Sequence, residues 1–448
     1  MTVVSPVITP CGERGNPTTL FAMYRSLLSA GLLAVALHVS AQTFVHQVVV
    51  LNEGYFDYFN GGGQLVPVSL GSYDPGTGSY QTMVTITGPR FGSDVLVDGG
   101  SIYVAADDRV LRYDADTYVQ TGEVMVGGVR KLAVWDDQLL LTRGELGGLP
   151  HYFEVRDKAT LDLLYAITPA DGLVHACEDV VVQGDKAYLA VGNAFEWGAF
   201  VGQVGVVDLS TGVLESSIDL GPEATNPEKL MLHEGDIVAF CNTDFTHSSI
   251  SRVGLAGQNV TYTALVAANS GCGASTKVTA NGKVYFMEYA QGELARFDLS
   301  TGAVADTLAG TPAVYGLLED PIHGVLYATT TDFLTSGELH VMDLEGTILS
   351  TVAVGVSPGN MALDIRLSTG VADIAQASWS LFPNPVIEQL TVSGAKEGEV
   401  LRVLDATGRL VLEHRVSDVR AQIPVGQLTA GMYSVVAEGR TPLRFVRQ

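Results

Sequence analysis

Val206–Leu214, VVDLSTGVL, and Arg296–Val304, RFDLSTGAV, are near copies of one another. Each is a short apolar run ending in Asp, followed by a Ser-Thr-Gly turn and a second run. Asp in such a turn accepts hydrogen bonds from the backbone just ahead of it, and Gly takes the positive φ that closes the hairpin. Weaker copies stand at Asp74, Asp114, Asp157 and Asp343, with Gly254 in the place of the acid in one more. The seven marks fall 40, 43, 51, 46, 44 and 45 residues apart. That period suits a four-stranded propeller blade and not a helical repeat.

Around each mark the unit reads as four strands, A to D. In the sixth it is STKVTA, KVYFMEY, ELARFDL and AVADTLA. The first unit opens on a B-type strand, VVVLN (Val48–Asn52), with no A strand before it. After the seventh, NMALDIRL (Asn360–Leu367) is left over. Exchange between the two ends closes the ring and leaves no open sheet edge. The predicted fold class is therefore all-β, a seven-bladed β-propeller over 43–368. A linker over 369–380 and a small β-sandwich over 381–448 follow, the latter signalled by alternating runs such as VLRVLDATGRLVLEH.

The chain has 448 residues, 25 Lys plus Arg and 49 Asp plus Glu, for a net charge of −24. This disfavours a nucleic-acid partner or attraction to an anionic membrane. Residues 1–41 read as a leader and signal peptide. Arg25 precedes an apolar run from Leu27 to Leu37, small residues lead to a cut after Ala41, and Met23 is an alternative start. The run is shorter than a membrane span needs, so the mature chain is expected to have no transmembrane segment.

In a propeller the B-to-C and D-to-A loops emerge on one face around the central channel, so site chemistry should gather just after each B strand. The candidate ligand-binding residues there are Asn52, Glu53, Tyr55, Arg143, Asn193, Trp197, Asn242, Asp244, Glu288 and Asp332. Amides, acids and aromatics suit a polar ligand with an apolar face. The competing reading has these groups satisfying loop backbone and covering blade edges. No catalytic residue is nominated, because no serine-elbow, zincin, phosphate-loop or dinucleotide motif occurs. His175, Cys177, His233 and His247 lack the spacing of a four-ligand zinc site, so neither a metal nor a cofactor is expected. Export permits one disulfide, most simply Cys241 to Cys272 with Cys177 left odd, and the competing reading is three buried free thiols.

The C-terminal segment resembles the type IX secretion sorting domain. The resemblance rests on Pro383-Asn384-Pro385, Leu390 and Val392, Asp405 to Arg409 with Gly408, Leu428, Gly431 and Tyr433, and Phe445-Val446. It implies passage across both membranes, the type IX machinery as a partner, and a secreted or cell-surface destination. The propeller is similar to the YncE-like superfamily in LNEG (Leu51–Gly54), the DLSTG pattern and VAVGVSPGNMALD. More loosely it resembles the surface propellers that capture cobalamin. The expected function is a non-enzymatic binding propeller holding a small molecule, a glycan or a surface protein. Two alternatives remain: a propeller enzyme of lactonase or quinoprotein type, with a metal or cofactor in the channel, and a structural surface protein.

Overall fold

The computed structural model describes residues 42–448 except 61, 194, 196–199, 245–246, 256–258, 266–276, 289–291, 369–379, 397, 417–419, 438–439 and 441. The leader, Trp197 and Cys272 lie outside the described residues. Seven four-stranded antiparallel sheets fill the described part of 42–368. Their innermost strands touch in a closed cycle: Pro358–Ser368, Asp94–Asp98, Val129–Trp135, Ala176–Gln183, Pro227–His233, Val278–Ala280, Gly316–Asp320, and back to the first. The result is a seven-bladed propeller.

The B strands are almost continuously apolar, as in Ser101–Ala106 and Asp236–Cys241, because neighbouring blades cover both of their faces. The D strands alternate instead. Val213–Asp219 covers every second side chain, Leu214 and Ser216 partly and Ile218 fully, as expected of an outer strand with one wet face. Blade 1 takes its inner strand from the far end of the propeller. Pro358–Ser368 pairs antiparallel with Gln42–Asn52, from Gln42 opposite Ser368 to Asn52 opposite Pro358. This is the exchange expected from the sequence.

The acids of the repeat cap their own turns. Asp208 Oδ1 accepts the Thr211 N–H (2.9 Å), Asp298 Oδ1 the Ser300 N–H (2.8 Å) and Asp157 Oδ1 the Thr160 N–H (2.8 Å). Asp74, Asp114 and Asp343 do the same in their blades. These turns share a face with the A-to-B turns, opposite the B-to-C and D-to-A loops.

The C-terminal region is a β-sandwich of a three-stranded and a four-stranded sheet around Leu390, Val403, Ile423, Val435 and Phe445. Four of its motif residues have visible structural roles. Asn384 accepts the Val446 N–H (2.9 Å), Asp405 caps the turn that Gly408 closes in a left-handed conformation, and the Tyr433 hydroxyl donates to the Thr429 carbonyl (2.8 Å). Pro383 and Pro385 both follow cis peptide bonds, and Gly431 opens the strand that carries Tyr433.

Candidate functional site at the mouth of the ring

Charged side chains cluster where the innermost strands meet, and backbone irregularity explains how. Adjacent residues on a regular strand point to opposite faces. In blades 3, 4 and 5 the A-to-B pairing skips register between Val129 and Leu132, Cys177 and Val180, and Pro227 and Lys229. Each skip is a bulge that re-aims side chains. It brings the consecutive pairs Arg130-Lys131, Glu178-Asp179 and Glu228-Lys229 into one network.

Asp94 Oδ2 accepts the Leu132 N–H (2.9 Å), and Asp179 Oδ2 accepts the Leu230 N–H (2.8 Å). A carboxylate of one blade thus satisfies the otherwise open inner edge of the next. Lys131 Nζ donates to Asn360 Oδ1 (2.7 Å) and the Ser93 carbonyl (3.0 Å) and lies 3.4 Å from Asp94. Lys229 Nζ lies 3.3 Å from Asp179. Lys277 pairs with Glu228 and sits 4.8 Å from the centre of the Phe240 ring.

Burial sets the protonation behaviour of this cluster. It raises the Asp94 carboxyl, against the pull of Lys131 and the Leu132 N–H, and it lowers Lys277, with Glu228 opposing. For Lys229 burial works downward but Asp179 and Asp94 outweigh it, so its pKa is raised.

Glu53, just beyond the blade 1 B strand, reaches into the same field. Its carboxylate accepts the Tyr315 hydroxyl (2.9 Å) and occupies the space a side chain on Gly359 would need, since Oε1 lies 2.2 Å from an ideal Cβ there. Burial pushes its pKa up to about 7, while Tyr315, Lys131 and Arg130 pull the other way. Arg130 Nε donates to Glu178 Oε1 (2.9 Å), and its guanidinium lies 5.7 Å from the centre of the Phe195 ring. Phe195 in turn packs on Gly144, 2.3 Å from where a Cβ would stand. Phe333 meets Tyr315 edge-on at 4.9 Å. The mouth therefore combines a half-buried carboxyl titrating near neutrality, a hydroxyl, a guanidinium–carboxylate pair and aromatic walls.

The other candidate residues go elsewhere. Asn52 is fully buried, its amide donating to Tyr80 (2.9 Å) and Ser69 (3.2 Å) and its side chain filling the space beside Gly355. Arg143 is buried within blade 3, bound to the Gly127 carbonyl (3.0 Å) and Glu154 (3.2 Å). Asn193 and Asn242 are both buried and tied by their backbone N–H groups to Asn226, through its side chain (3.1 Å) and its carbonyl (2.9 Å). Asp244 caps His247 (2.7 Å), and Asp332 caps the Leu334 and Thr335 N–H groups. Glu288 is buried at the end of its strand, and Tyr55 pairs with Val66 in a short hairpin arm of blade 1.

Cys272, the expected partner of Cys241, lies outside the described residues; Cys241 itself is fully buried. It packs among Leu230, Ile237 and Val253 in an apolar core. Cys177 is likewise buried. Among the described residues no three His, Cys, Asp or Glu side chains converge as metal ligands would.

Sequence reading missed Tyr315, Arg130, Glu178 and the ion pairs beneath them. The available signal was the recurrence of RK, ED and EK doublets just ahead of the first apolar run of successive blades.

Residues 380–442 match the family described as the secretion system C-terminal sorting domain. This chain is a type IX secretion cargo. It is delivered to the cell surface or the exterior, and no helix among its described residues is long and apolar enough to cross a membrane. No curated protein matches the chain. Solved structures similar to it include BamB from Moraxella catarrhalis, at 9% identity over 79% of this chain and 95% of that one, with a TM-score of 0.45. The extracellular domain of a putative one-component system from B. thetaiotaomicron is 11% identical over 89% of this chain and 57% of that one, with a TM-score of 0.49. Apo AztD from Citrobacter koseri is 10% identical over 73% and 100%, with a TM-score of 0.45.

Proposed function

We propose that this cargo is a cell-surface binding propeller, without catalytic chemistry of its own, that holds a small polar ligand at the mouth of the ring. The observation that carries the reading is the convergence of Glu53, Tyr315, Arg130, Glu178 and Phe195 from blades 1, 7, 3 and 4. Aromatic walls supply area, while the carboxyl, hydroxyl and guanidinium fix orientation. A carboxyl with a pKa near 7 both donates and accepts hydrogen bonds at neutral pH, which suits a ligand rich in hydroxyl or amide groups. The carboxylates deeper in the ring are engaged by Lys131, Lys229 and Lys277, so the ligand sits above them.

A thermal-shift screen of the full chain against neutral glycans, cobalamins, haem and divalent metal salts tests this. A ligand at about 100 times its Kd stabilises the native state by about 2.7 kcal/mol. The expected result is a saturable rise in midpoint that Glu53→Ala and Arg130→Ala abolish. A rise that both variants retain would move the site elsewhere. No rise with any compound would favour a purely structural surface role.

A further inference from the structure

Large apolar side chains open to solvent gather on the loops of blades 7, 1 and 3. The hairpin arm of blade 1, Tyr55–Phe56 paired with Gln64–Val66, presents Tyr58, Phe59 and Leu65, and Phe59 is 93% exposed. The blade 7 loop adds Phe333 and Leu334, and the blade 3 loop adds Leu146.

These residues lie along one connected arc. Phe333 packs on Tyr315, Tyr315 bonds Glu53, and Glu53 runs directly into the arm. Beyond the arm, Arg90 donates to Glu145 (3.2 Å), the neighbour of Leu146. Isolated exposed apolar residues need no explanation, but a contiguous set does.

Fixed carboxylates border the arc. Asp57 accepts the Phe59 and Asn60 N–H groups (2.9 and 3.0 Å), Asp332 holds the Leu334 turn (2.9 Å), and Asp107 and Glu145 flank Arg90. Asp107 and Glu145 are thus paired with Arg90, while Asp57 and Asp332 are held by N–H groups of their own turns. Backbone N–H groups hold the Asp57 and Asp332 carboxyls below the usual range, so both stay charged in mildly acidic surroundings. The chain as a whole carries −24. An anionic lipid surface would be repelled, and a neutral partner would gain nothing from this border.

We propose that the arc of the blade 7, blade 1 and blade 3 loops is a docking surface for a basic protein segment with an apolar face. The inference rests on reading the loop face as the working face of the propeller. Apolar knobs supply the anchors, and the carboxylates select and steer a cationic partner.

Fluorescence anisotropy with the full chain and labelled synthetic peptides tests it, using an amphipathic Leu/Lys helix, its Leu/Glu counterpart and a Ser/Lys peptide of equal charge. The Leu/Lys peptide is expected to bind, at least about tenfold more tightly than either control, with affinity falling as salt rises from 50 to 500 mM. The triple variant Phe59→Ser, Leu146→Ser, Phe333→Ser should lose about tenfold, and Asp57→Asn with Glu145→Gln should flatten the salt dependence. Met83→Ser with Leu163→Ser, on outer strands, should change nothing.

Equal binding of the Ser/Lys or Leu/Glu peptide would overturn the proposal. So would an equal loss in the outer-strand variant, or self-association of the chain through the arc in sedimentation. Failure of the Glu53→Ala or Arg130→Ala test with peptide binding kept would sink the small-ligand reading alone.

Discussion

The turn face and the loop face are built from the same seven repeats, yet they spend their polar residues differently. On the turn face Asp208, Asp298 and their counterparts each bind the backbone two to four residues ahead, so these caps are local even though other turn-face groups, such as Lys158 with Asp98, reach between blades. At the centre and on the loop face the contacts cross between blades: Asp94 to Leu132, Asp179 to Leu230, Glu53 to Tyr315. A local contact is worth little to the rest of the molecule. A contact between blades is desolvated and holds two of them in register.

The largest expected effect comes from breaking an inter-blade pair. Asp179→Ala leaves the Lys229 ammonium and the Leu230 N–H without their buried acceptor, and urea unfolding should report a loss of about 3–5 kcal/mol. Gly359→Ala places a methyl group 2.2 Å from Glu53 Oε1 and should cost about 1–3 kcal/mol by overpacking while displacing that carboxyl.

A subtler effect follows from protonation. Glu53 titrates at about 7 in the native chain against 4.5 for the free group. Between these values the native state keeps a proton that the unfolded chain has released. Its contribution to stability is therefore full below about pH 4.5 and is lost as pH rises to about 7. Tyr315, Lys131 and Arg130 are the groups facing it. Glu53→Gln should remove that slope, measured as unfolding midpoint against pH. Asp298→Ala should have the smallest effect, a midpoint shift below all of these, because its partners are solvent-exposed turn N–H groups. Should Asp298→Ala rival Asp179→Ala, the contrast between the faces would fail.

Legibility followed the same division. The turn acids were readable because side chain and partner are neighbours in the chain, so spacing alone encodes them. Glu53 was readable as a residue just after a B strand, but its partner Tyr315 stands 262 positions away. Asn193 and Asn242 were chosen for their chemistry, yet both serve Asn226, which had no distinguishing signal beyond its residue type. Arg143 ends a B strand where Glu53 lies just beyond one, and Glu154 claims it inside blade 3. Cys241 stands in an apolar core that its residue type alone did not signal.

The sequence by itself determined the number of blades, the exchange that closes the ring and the C-terminal sorting signal. Each of these is written in a period, a leftover strand or a set of close-spaced motifs, and each depends on contacts made within one blade or one hairpin. Only the tertiary structure decided which charges meet at the centre and which loop residues form a mouth. Those meetings depend on bulges that turn Arg130-Lys131, Glu178-Asp179 and Glu228-Lys229 out of strict alternation, and on ring closure that sets Tyr315 and Gly359 against Glu53. A one-residue bulge leaves the apolar pattern of a strand almost unchanged but redirects the side chains that carry charge.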